Sequence, residues 1–172
     1  MFRRIDDFIN SWTYEAQSTL KVLEAIPDAA AGTAVAEGHR DLRRMAWHLV
    51  ESLIEMPSHW GVQVIAGENL IHGMAIVDPP ATMSEIRATY QRAVDSLREG
   101  LKTWTDATLE LEDDMYGHMW KRSFSLGCLL NHEIHHRGQM TVLMRQAGLK
   151  VPGVYGPAKE EWAACGMEPP KV

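Results

Sequence analysis

The sequence predicts an all-α fold, a four-helix bundle with a long crossover before helix four. Three observations predict it. Apolar residues recur at a helical period in four long stretches, no stretch shows strand alternation or a hairpin turn signal, and 172 residues suffice for one bundle-sized domain. The bundle is assigned to residues 1–157, and residues 158–172 are read as a C-terminal tail with a possible short helix from Ala158 to Ala164.

Helix one is expected from Ile5 to Ile26, where Ile5, Phe8, Ile9, Trp12, Ala16, Leu20 and Leu23 keep the period and Pro27 stops it. Pro27 to Gly38 is small and polar and reads as a linker. Helix two is expected from Arg40 to Trp60, with Leu42, Met45, Leu49, Leu53 and Met56 on one stripe and Pro57 in its last turn. Gly61 to Met83 carries three glycines and Pro79-Pro80, and reads as loop. Helix three opens on a capping box, Thr82-Met83-Ser84-Glu85, and continues through Ile86, Tyr90, Val94, Leu97, Leu101 and Trp104. Thr105 to Arg122 is acidic and irregular and forms the crossover. Helix four spans Ser123 to Gly148, with Gly148 as its C-terminal cap and Pro152 just beyond.

Composition narrows the function classes. A net charge of -6 argues against nucleic acid as a partner, because phosphate binding requires a basic patch. Arg40, Arg43 and Arg44 lie beside Asp41 and read as a solvated face. No apolar run approaches the length of a membrane span, and MFRRIDDFIN has no apolar signal-peptide core. Two cysteines, Cys128 and Cys165, make no secreted disulfide framework, so a reduced, cytoplasmic protein is expected.

Helix four carries the chemistry. Leu129, His132, His136, Met140, Leu143 and Ala147 fall on one stripe, the face a helix buries. A buried imidazole needs a partner for its polar nitrogens. One histidine on such a face is commonly a core residue bonded to a carbonyl. Two at i and i+4 lie on one side of the helix, about 6 Å apart along the axis, and both reach a single metal ion. A third ligand must come from another helix. His48, mid-helix on the edge of the stripe of helix two, is the best candidate. His39, His59, His72 and His118 lie in or near loops and read as surface residues. Three imidazoles leave open coordination positions, as catalytic sites do, and suit Zn, Ni, Fe or Cu without choosing among them.

Four further residues are candidates for supporting roles. His135 is next to His136 and about 100° from it around the helix. Glu133 and Arg137 form an i, i+4 pair expected on the helix flank. Glu51 lies one turn after His48, within reach of the metal or its water. Cys128, one turn before His132, reads as a small core residue. His132-Glu133-Ile134-His135-His136 also matches H-E-x-x-H, in which Glu133 would be the general base of a zinc peptidase. No third ligand follows at the expected spacing, Glu160 and Glu161 being the downstream candidates, so this reading ranks low.

The run Asn131-His132-Glu133-Ile134-His135-His136-Arg137-Gly138-Gln139, followed by Leu143, Gly148 and Pro152, resembles the DinB-like proteins. Ala46-Trp47-His48-Leu49-Val50-Glu51 matches the same family. The resemblance implies a four-helix bundle, often dimeric, whose divalent metal, zinc or nickel, is held by His48, His132 and His136. It also implies kinship with thiol-dependent S-transferases, in which the metal activates the thiolate of a low-molecular-weight thiol cofactor. The expected function is therefore that of a metal-dependent enzyme of thiol S-transferase or hydrolase type, acting on a small-molecule substrate. The alternative is a metal-binding stress or interaction protein without turnover. A second apolar row on helix four, Leu126, Leu130 and Ile134 with Gly127 and Gly138 nearby, suggests a homodimer contact.

Overall fold

The computed structural model describes residues 2–67 and 78–171. Four helices dominate it: α1 (Ile5–Glu24), α2 (Leu42–Ser58), α3 (Met83–Gly100) and α4 (Arg122–Gln146). α1 packs on α3 and α4, and α2 packs on the same two. The order around the bundle is therefore α1, α3, α2, α4, which makes α2 and α4 neighbours. No described helix is long and apolar enough to cross a membrane. Residues 61–67 and 78–82 carry no helix, as the loop reading expects; residues 68–77, His72 among them, lie outside the described residues.

The helix boundaries follow local chemistry. Asp41 caps α2, its carboxylate accepting from the Arg44 N–H at 2.7 Å. Thr82 and Glu85 form the expected capping box on α3. Gly148, at φ 73°, takes the left-handed position just past α4 that a side chain would strain. Phe8, Trp12, Trp47, Leu53, Ile86, Tyr90, Leu97, Leu126 and Met140 are among the core residues with no exposed surface or nearly none.

Two segments depart from expectation. The tail forms a 3₁₀ turn at Ala163–Cys165, shorter and later than the helix expected there. The crossover contains an antiparallel hairpin, β1 (Glu112–Met115) and β2 (His118–Lys121), joined by Tyr116-Gly117. Both loop residues have positive φ, 60° and 85°, the geometry of a tight turn that matches strand twist. The Gly117 N–H donates to the Asp114 carboxylate at 2.7 Å and closes the turn. The strands are short and mostly solvent-facing, so their sequence carries no apolar alternation. The hairpin is fixed to the end of α2: the Trp60 indole N–H donates to Met115 Sδ at 3.2 Å, and the His59 ring bonds the Asp114 carbonyl through Nδ1 at 3.0 Å. Arg122 closes its base with a two-pronged bond to Asp113, 2.8 and 3.0 Å.

Candidate metal centre

His48 projects from the middle of α2, and His132 and His136 from successive turns of α4. Because α2 and α4 are neighbours, the three rings meet. Each offers a ring nitrogen, and these atoms lie within 4.8 Å of one another. Ring centroids are 5.0 Å apart for His48 and His132, 4.7 Å for His48 and His136, and 4.4 Å for His132 and His136. All three rings are half-buried.

The hydrogen bonds set the chemistry of the cluster. The Gln139 side-chain oxygen lies 2.7 Å from His136 Nδ1. A carbonyl oxygen only accepts, so Nδ1 carries the proton and Nε2 of the neutral ring presents its lone pair. That Nε2 lies 3.2 Å from Nε2 of His132. Two lone pairs at this separation repel unless a proton or a cation lies between them. Nitrogens on one tetrahedral zinc, with bonds of about 2.0–2.1 Å, stand roughly 3.3 Å apart, so the spacing fits a shared ion. Nδ1 of His132 is buried and meets no hydrogen-bond partner, so on the protein side the ring is met only at Nε2, by His136. The His132 pKa is pushed down to about 4, by burial first and then by the charges of His136, His48, His135 and Arg40. His136 is also lowered, chiefly by burial, against the opposing pull of Gln139. Both effects favour the neutral imidazole that a metal requires.

The supporting candidates separate. Glu51 pairs with Arg44, and its carboxylate stands 3.8 Å from His48 Nδ1, behind the ligand. The Arg43 and Arg44 side chains are half-buried, which corrects the reading of Arg40 to Arg44 as a solvated face. His135 is exposed and touches only the edge of the site, 5.0 Å from His136 between ring centroids.

Glu133 and Arg137 are not on the flank. Both are 2 % exposed and face the core. The Arg137 guanidinium donates to the Glu15 carboxylate at 2.5 Å, to the Glu15 carbonyl at 3.0 Å and to the Tyr155 hydroxyl at 2.8 Å. The Tyr90 hydroxyl donates to Glu133 at 2.5 Å. Burial pushes the Glu133 carboxyl up to about 7, against hydrogen bonds from Thr19 and Tyr90 and the charge of Arg137. The helical period misplaces these two residues because it treats charge as a mark of solvent. Their partners come from α1, α3 and the tail, far away in sequence. With its carboxylate committed to Tyr90, Glu133 is not placed as the general base of an H-E-x-x-H peptidase.

Two clefts open on the histidines. One, of about 310 Å³, is bordered by His48, His132, Cys128, Tyr116, Trp120 and Glu55. Its aromatic wall continues from Trp120 to Phe124, ring centroids 4.9 Å apart. Glu55 is occupied on both oxygens, by His59 at 2.9 Å and by the Tyr116 hydroxyl at 2.8 Å. Cys128 packs against the core, half-buried, and also borders the site, and burial raises its thiol pKa. The second cleft, of about 430 Å³, runs from His136 and Gln139 past Arg40 and Val142. His39 borders it and is exposed; His118 is exposed on β2; His59 is half-buried at the end of α2. None of these three joins the cluster. The sequence reading quoted Gln139 within the family run but gave it no role; its signal is a polar side chain one turn past a ligand on the ligand's own face. The same reading missed Tyr116 and Trp120, which reach the site only because the crossover folds back as a hairpin.

The comparisons agree with this fold. The model of the DinB family matches residues 1–171. An uncharacterized protein of Bacillus subtilis (strain 168), YrdA, is 39% identical over 175 residues, with 100% of both chains covered. The crystal structure of a DinB-like protein from Bacillus cereus ATCC 10987 superposes with a TM-score of 0.82 at 38% identity, covering 90% of this chain and 100% of that one. A DinB-like protein from Bacillus subtilis, YjoA, shares the fold at 16% identity, with a TM-score of 0.66 and 86% and 97% of the two chains covered. The chain belongs to the DinB family.

Proposed function

We propose that this protein is a metal-dependent enzyme of thiol S-transferase or hydrolase type, with His48, His132 and His136 holding one divalent ion, zinc or nickel. The observation that carries the reading is the three-imidazole cluster opening on clefts of small-molecule size. A divalent ion there would supply Lewis acidity, lowering the pKa of a coordinated water or thiol toward neutrality. The protein's own contribution is positional. Gln139 fixes the tautomer and orientation of His136, and the Arg44–Glu51 pair backs His48. Tyr116 and Trp120 wall one cleft and limit access of bulk water to the ligands. The thiol half of the proposal, with a low-molecular-weight thiol as co-substrate, is supported by the resemblance carried in the His-His-Arg-Gly-Gln run. The hydrolase half is supported by the open positions that three ligands leave. A homodimer belongs to the same reading: Leu130 and Ile134 are half-buried and available to a second copy, whereas Leu126 is already covered within the chain.

The test is elemental analysis of protein purified without an affinity tag, for the wild type, His48→Ala and His132→Ala, followed by a screen for thiol transfer and hydrolysis with the metal found. About one zinc or nickel per chain is expected in the wild type and none in the variants. Equal metal content in all three would sink the centre; metal without turnover would leave a binding protein.

A further inference from the structure

The two clefts border different histidines of the cluster, His136 in the larger and His48 and His132 in the smaller, and they differ in chemistry. The apolar wall of the larger is Val35, Met45, Val142 and Leu143. Val35 and Val142 are 59% and 57% exposed, although they come from distant segments and both border this one cleft. Among its polar side chains, Arg40 can only donate. Arg40 borders it with no carboxylate partner among the described residues, and no carboxylate lines the cleft itself. Gln139 gives its oxygen to His136, which leaves its amide hydrogens for another acceptor. In a chain of net charge -6 a cleft lined by a guanidinium and by no carboxylate stands out. The aromatic cleft on the other side of the histidines has no cation on its border, and its one carboxylate is already occupied.

We propose that the Arg40 cleft is the substrate-binding arm of the metal centre and takes small amphipathic carboxylates, with the carboxylate on Arg40 and the apolar body against Val35, Met45, Val142 and Leu143. The guanidinium matches a carboxylate with two parallel N–H donors. The volume of about 430 Å³ suits a chain or ring of modest size. Arg40 thus determines which substrates reach the ion by discriminating charged from neutral molecules of the same shape. The proposal rests on the metal-centre reading for its catalytic meaning, but the carboxylate site itself is defined by residues that hold no metal.

The experiment is calorimetric titration of the full chain, metal-free and zinc-loaded, with octanoate and with octanamide as the neutral isostere. The wild type is expected to bind octanoate at least about tenfold more tightly than octanamide in both forms. Arg40→Gln should abolish that preference and Arg40→Lys should keep part of it, while octanamide binding is unchanged in both. Val142→Asp should weaken both ligands. Trp120→Ala, in the other cleft, should alter neither. The proposal is overturned if Arg40→Gln binds octanoate as the wild type does, if the preference appears only with zinc present, or if the wild type shows none. Metal content measured on the same samples separates the two ideas. Zinc bound without carboxylate preference sinks the cleft and leaves the centre; preference without zinc binding sinks the centre and leaves the cleft.

Discussion

On α4 three consecutive polar residues of the motif and one a turn further on divide the labour. His136 faces the cluster, Arg137 faces the core, His135 faces solvent, and Gln139 holds His136 by its second ring nitrogen. The Gln139 bond is a test of whether the cluster is a ligand set. A hydrogen bond to the far nitrogen of a metal-binding histidine fixes its tautomer and strengthens it as a donor, and its loss commonly costs ten- to a hundredfold in affinity. Gln139 is exposed. Gln139→Ala is therefore expected to weaken zinc about tenfold in a chelator competition, with the unfolding midpoint of the metal-free protein nearly unchanged. An unaltered zinc affinity would mean that His136 is not held through Gln139. At this scale much of the site was legible in the sequence: the i, i+4 spacing placed His132 and His136, and the stripe of helix two placed His48. Glu133 and Arg137 were not legible, because their burial is specified by partners far along the chain, Tyr90 for Glu133 and Glu15 and Tyr155 for Arg137, and not by the local period.

The crossover hairpin shows what element-level patterns leave out. Helices announce themselves by an apolar stripe and by caps, and the Thr82–Glu85 box and Gly148 stand where expected. The hairpin buries little, so its only sequence signal is a glycine at the second loop position, Gly117. Tyr116 beside it accepts an unfavourable φ of 60° and is held there by its bond to Glu55. A Cβ at Gly117 would meet no atom within 4 Å, so a substitution there probes backbone conformation alone. With φ at 85°, Gly117→Ala should cost about 1 kcal/mol in urea unfolding while leaving the metal content intact. No loss of stability would mean that the turn relaxes to another geometry without consequence for the bundle.

At the scale of the molecule, the cluster joins two helices that no covalent link holds together near the site. α2 and α4 contact each other directly, and His48 stands on one while His132 and His136 stand on the other. An ion bound across that seam is bound by the folded chain alone, since the unfolded chain has no reason to keep residues 48 and 132 close. Binding therefore adds to stability in proportion to the logarithm of free metal over its dissociation constant, about 2.7 kcal/mol at a hundredfold excess over that constant. For a chain of this length each kcal/mol raises the melting temperature by about 2–4 °C, so zinc at that excess should raise it by roughly 5–10 °C over protein in chelator. The seam makes the prediction specific. His48→Ala removes the only ligand contributed by α2, and its melting temperature should become nearly independent of zinc even though the i, i+4 pair on α4 is intact. Scanning calorimetry of both proteins across a zinc series measures this directly. A rise of equal size in His48→Ala would show that the ion is held by α4 alone, and that the meeting of the two helices is packing and not coordination.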